Sequence, residues 1–177
     1  MITPATILAA LLALMPAPAS EHPRYQIAAE AIATVHAEFL PSWPRDSATL
    51  FAAQLTIIDF ESDMQRGVHD GTIRGKAGEV CLMQAHRTNG FWARYGSSLD
   101  ELAGTDLEST LRCIRTGTAT LVWAANRCLK QHYRRNLWPA MFSAYHLGGQ
   151  CWASPERFKR ARAMQTIVGM IQQGASE

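Results

Sequence analysis

Between Leu107 and Leu129, apolar or small residues return every three or four positions: Leu107, Leu111, Ile114, Thr118, Val122, Ala125 and Leu129. No other feature constrains the chain as strongly. A stripe with that period over so many turns packs only as a helix, and a helix of that length needs other helices to cover it. The spacing therefore predicts a central core helix from about Leu107 to His132, and the rest of the chain is punctuated to match. Ile27, Ala31 and Val35 mark a helix from about Arg24 to Phe39 that stops before Pro41 and Pro44. Asp46 or Ser47 can cap a second helix carrying Leu50 through Phe60. A further helical stretch around Pro139 to His146 ends at Gly148 and Gly149. Ser154 before Pro155 opens a last one, with Phe158, Ala161, Met164, Val168 and Ile171 as its inner face.

Strand signal is nearly absent. Four glycines lie between Gly67 and Gly78, and Asp70-Gly71 is flanked by Val68 and Ile73, which predicts a loop or small hairpin. The expected class is mainly α with at most one small β-hairpin. At 177 residues the chain suits one domain, and residues 21–177 show no repeat or linker. Residues 1–20 read either as a signal peptide, with Ile7–Met15 apolar and Ala17-Pro18-Ala19 as a cleavage pattern, or as an N-terminal helix. The apolar run is too short for a stable membrane span.

A net charge of +2 is too small and too scattered for a nucleic-acid footprint, so no nucleic acid partner is expected. One denser run contains Lys130, His132, Arg134 and Arg135. It reads as a solvated helix end or as a weak attractor of an anionic polymer. Cys81, Cys113, Cys128 and Cys151 lack metal-site spacing, and His69, His86, His132 and His146 are dispersed with no HExxH pattern. No metal and no cofactor are expected. Cys113 and Cys128 share the long helix, roughly 22 Å apart, so they cannot bridge each other. Cys81–Cys113 with Cys128–Cys151, Cys81–Cys128 with Cys113–Cys151, and four buried thiols all remain open.

Glu61 closes an unusually apolar helix, on the face that carries Leu50, Gln54, Ile57 and Ile58. A carboxyl aimed at apolar surface is desolvated, which raises its pKa towards that of a general acid working near neutrality. A helix-terminal glutamate reaching solvent or a cationic partner is the plainer alternative. Beyond it, in chain order, come Ser62; the turn Gly78-Glu79-Val80-Cys81-Leu82-Met83-Gln84; Ile114 with Gly117; and Ala144-Tyr145-His146-Leu147-Gly148.

That series, covering about Thr49 to Val168, resembles the lysozyme-like lytic transglycosylases. Their marks are a Glu-Ser pair, a Gly-x-x-Gly-Leu-Met-Gln turn, an Asn-Ile-x-x-Gly helix and an Ala-Tyr-Asn-x-Gly segment. The chain departs from these in three places: Cys81 replaces a glycine, Cys113 an asparagine and His146 an asparagine. The resemblance implies a lysozyme-like (α+β) domain and cleavage of the MurNAc-GlcNAc β-1,4 bond of peptidoglycan glycan strands. Glu61 would act as general acid and then as base, giving 1,6-anhydro products, with Ser62, Met83, Gln84, Tyr145 and His146 as substrate contacts. It also implies an extracytoplasmic location, periplasmic or secreted, or association with a phage virion or secretion apparatus.

Several alternatives stand beside this expectation. A hydrolytic lysozyme would need a second carboxylate such as Asp70 or Glu79, since Asp59 falls on another side of the helix. A non-catalytic wall-binding or virion structural module could keep the scaffold. Cys81 with His146 could form a thiol-imidazole pair.

Overall fold

The structure, a computed structural model, describes residues 2–76, 78–85, 91–96, 98–152 and 155–174. His86 and the expected cap Ser154 lie outside the described residues. Seven α-helices carry the fold: α1 (Pro4–Leu14), α2 (His22–Phe39), α3 (Ser47–Ser62), α4 (Arg66–His69), α5 (Leu107–Lys130), α6 (Leu137–His146) and α7 (Pro155–Gly174). The class is mainly α.

Helix α5 is the centre, packed by α2 and α6 along its length, while α7 lies across α3 and α6 and α1 covers α2. Its start is fixed by Asp106, whose side chain accepts from the Ser109 amide, and α3 starts in the same way at Asp46, which accepts from Thr49. Every residue from Leu50 to Ile58 is buried, so α3 is sheathed on all sides rather than along one stripe. Gln54, in its middle, donates to Thr118 Oγ1 of α5 at 3.0 Å and meets His36 Nδ1 of α2 at 3.3 Å. Those bonds satisfy an amide that would otherwise be costly to bury. In α1, Ile7 and Leu11 are buried, and Tyr25 of α2 donates its hydroxyl to the Met15 carbonyl at 3.0 Å. No helix among the described residues is long and apolar enough to cross a membrane.

Of the loop and the small hairpin expected after Gly67, the described residues show the loop and no hairpin. Val68 is inside the one-turn helix α4, and the chain after it is held by local bonds: Asp70 accepts from the Thr72 amide and hydroxyl, and the Ile73 amide donates to the Gly67 carbonyl. Asp70 thus closes an Asx turn instead of a two-residue hairpin loop. The nearest approach to sheet among the described residues is an isolated antiparallel bridge between Val80 and Ala85.

A buried polar hub ties α2, α4 and α5 together. Arg24 donates to His69 Nδ1 at 3.3 Å, His69 Nε2 donates to Thr110 Oγ1 at 2.9 Å, and Thr110 donates to the Asp106 carbonyl at 2.6 Å. His69 is fully buried, and that burial beside the Arg24 cation pulls its pKa down to about 4, so the ring is neutral.

The inner face of α7 differs from the expectation. Ala161 and Met164 are buried as predicted, but Phe158 is 38% exposed, and Arg157 and Arg160 occupy the buried side. The helix is rotated so that its arginines meet the end of α3.

Candidate active site

The end of α3 is built to stop abruptly. Ser62 donates to the Ile58 carbonyl at 2.8 Å and accepts from the Met64 amide, while Asp63 and Met64 take left-handed backbone angles of +48° and +51°. Ser62 is buried in this cap. The turn leaves Glu61 one residue before the end of α3, with 12% of its side chain exposed.

Two basic side chains reach its carboxylate. Arg160 of α7 forms a short ion pair with Glu61 Oε1, and His146 Nδ1, at the end of α6, lies 3.9 Å from the same oxygen. Arg160 also stacks over the Phe60 ring at 5.2 Å, and its Nε is buried without a partner. Burial raises the Glu61 pKa, as the apolar helix predicts, but His146 and Arg160 together outweigh it and hold the carboxyl below its ordinary value. This corrects the expectation of a raised pKa, because the cations come from helices remote in sequence.

The Cys81–Gln84 turn is closed by paired bonds between Val80 and Ala85 and by the Gln84 amide donating to the Cys81 carbonyl. Cys81 adopts φ +66° and Gln84 φ +48°. The left-handed geometry of a glycine is therefore present at Cys81 without the glycine, at a strain of roughly 1–2 kcal/mol. A disulfide from Cys81 to Cys113 anchors that strained residue to α5. Two of the three departures from the transglycosylase pattern are thus one feature, since the replacements for glycine and asparagine are bonded to each other. Cys128–Cys151 is the second bridge, which selects the first of the pairings left open by the sequence. With Cys81 oxidised and fully buried, the thiol-imidazole pair is ruled out.

The turn then docks on α5 and α6. A Cβ on Gly117 would lie 2.4 Å from Met83 Sδ, so the glycine is the recess that receives Met83. Met83 is fully buried there and packs into the core. Tyr145 donates its hydroxyl to the Met83 carbonyl at 2.6 Å. Burial, with the Glu61 charge nearby, pushes that phenol well above its usual pKa, so Tyr145 is a neutral donor. Gln84 is half-buried, and its amide donates to the Cys81 carbonyl at 3.1 Å.

Of the expected site residues, Glu61, Tyr145 and His146 share one electrostatic neighbourhood, and Tyr145 ties it to the Met83-Gln84 turn. Ser62 and Met83 support the site from inside. Among the described residues, no three His, Cys, Asp or Glu side chains converge as metal ligands.

No family model, curated protein or solved structure matches this chain.

Arg157 and Arg160 were not foreseen as site residues. Their signal was present, because Arg157, Arg160, Met164 and Ile167 fall at helical spacing on one side, but arginines on an amphipathic helix ordinarily mark its wet face.

Proposed function

We propose that this chain is a lysozyme-like enzyme that cleaves peptidoglycan glycan strands at the MurNAc-GlcNAc bond, with Glu61 as acid and then base. One observation carries the reading: the segments that resemble the transglycosylase motifs meet at one place. Tyr145 binds the Met83 carbonyl, Gly117 receives Met83, and His146 and Glu61 face each other at the rim. The electrostatic partners of Glu61 are the basic side chains Arg160 and His146, with no second carboxylate among the largest influences on it. That favours a single-carboxylate route to 1,6-anhydro products over double-carboxylate hydrolysis. The paired carboxylate is ready as a base, but it must be protonated to donate to the leaving oxygen. In this reading the substrate's own carboxylates draw the Arg160 guanidinium away, and burial then raises the pKa of Glu61 towards a donor's range. Activity of this kind also places the protein outside the cytoplasm or on a virion or secretion apparatus, in keeping with its two disulfides.

The Glu61–Arg160 pair also supports a second reading, in which a saccharide-binding module keeps Glu61 as a structural anion. Incubating peptidoglycan with wild type and Glu61→Gln, followed by mass analysis of released muropeptides, separates the two. Fragments lighter than hydrolytic ones by one water, made by wild type alone, support the transglycosylase. Hydrated ends indicate a lysozyme. Release by neither protein, with binding retained by both, supports the module.

A further inference from the structure

A groove of about 550 Å³ lies between the start of α3, the turn into α6 and the outer side of α7, and it includes none of the groups around Glu61. Four arginines line it: Arg45, Arg134, Arg135 and Arg162. Among the described residues these four guanidiniums have no carboxylate, carbonyl or ring partner. Every other described arginine has a partner. Arg24, Arg66, Arg74, Arg112, Arg115 and Arg160 pair with carboxylates, Arg127 donates to the Gly149 carbonyl, Arg94 stacks on Phe91, and Arg157 is also engaged.

Among the described residues that line the groove the only acid is Asp46, and one of its carboxylate oxygens is already used in capping α3 at Thr49. The groove therefore gathers four guanidiniums on a chain whose net charge is only +2. Like charges gathered without counter-charges are unfavourable until an anion arrives.

We infer that this groove binds a compact phosphorylated saccharide bearing at least two phosphate charges. Guanidinium forks match phosphate oxygens in bidentate fashion, and several forks around one groove suit a multiply charged ligand better than a single carboxylate. Trp138 and Phe158 also line the groove, and Phe158 is 38% exposed, so the wall offers apolar ring surface to a sugar between the charges. The groove volume fits a ligand of a few rings or phosphates, and the low net charge supplies no extended basic track for a nucleic acid strand. The site is independent of the glycan-cleavage reading and stands or falls separately.

The test is calorimetric titration of the whole protein with pyrophosphate, fructose 1,6-bisphosphate and a short oligothymidylate, at two salt concentrations. Wild type, Arg134→Gln/Arg135→Gln, Arg45→Gln/Arg162→Gln and the control Arg66→Gln/Arg74→Gln would be compared, with thermal melting to verify that each folds. The expected result is that wild type and control bind the bisphosphate more tightly than pyrophosphate, while each groove double variant loses at least about tenfold. Three outcomes overturn the proposal: no binding of either phosphate compound, equal weakening in the control, or tighter binding of the oligonucleotide than of the bisphosphate. The second would reduce the effect to diffuse charge and the third would assign the groove to nucleic acid.

Discussion

Glu61 and Arg160 stand 99 residues apart in sequence and form an ion pair between the end of α3 and the buried side of α7. The pair is nearly dry, with 12% and 7% of the two side chains exposed. It therefore sets both the protonation state of Glu61 and the docking of the last helix.

Replacing Arg160 by Met leaves a buried carboxylate facing burial with only His146 to oppose it. The Glu61 pKa then rises above its ordinary value, and stability at neutral pH falls by about 3–5 kcal/mol. In wild type the carboxyl is held low, so its contribution is present above the unfolded-state value and is lost as pH falls through the folded one. NMR titration of the Glu61 side-chain carbon in both proteins reads the shift directly; identical titration curves would mean that the pair does not control Glu61.

His69 makes a second, separate pH dependence. Its folded value of about 4 lies below the ordinary 6.5, so the unfolded chain binds the extra proton between those limits. Stability is complete above pH 6.5 and declines by about 3 kcal/mol as pH falls to 4. Glutamine can keep both hydrogen bonds without titrating. Denaturant melts across this range should therefore show a shallower slope in His69→Gln than in wild type.

The Cys81–Cys113 bridge closes a 32-residue separation, and its removal should cost about 2–4 kcal/mol. Because Cys81 sits at φ +66°, Cys81→Gly/Cys113→Ala should be more stable than Cys81→Ala/Cys113→Ala by roughly 1 kcal/mol. Equal midpoints in urea for the two variants would argue against the left-handed turn.

Gly117→Ala forces a methyl against Met83 and should destabilise by about 1–3 kcal/mol, with much of the loss recovered when Met83→Ala is added. A double-mutant cycle from thermal melts measures that coupling, and additive losses would place the damage elsewhere.

The helices were legible because their signals are local. Asp46 and Asp106 cap the helices they precede, α2 ends at Phe39 just before Pro41, and the stripe from Leu107 to Leu129 spaces one core helix correctly. The position of Glu61 at the end of an apolar helix was equally readable, as was the order of the segments that now surround Tyr145 and Met83. What sequence alone left undecided was every property set by two distant segments meeting. The choice between loop and small hairpin at Asp70-Gly71 fell to a loop closed by an Asx turn through Thr72. The cysteine pairing depended on which face of α5 received the Cys81 turn. The charge state of Glu61 depended on α7 rotating Arg160 inward and Phe158 outward. A helix period fixes which residues share a side, but the side that is buried is decided by the charges and shapes of the neighbours that cover it.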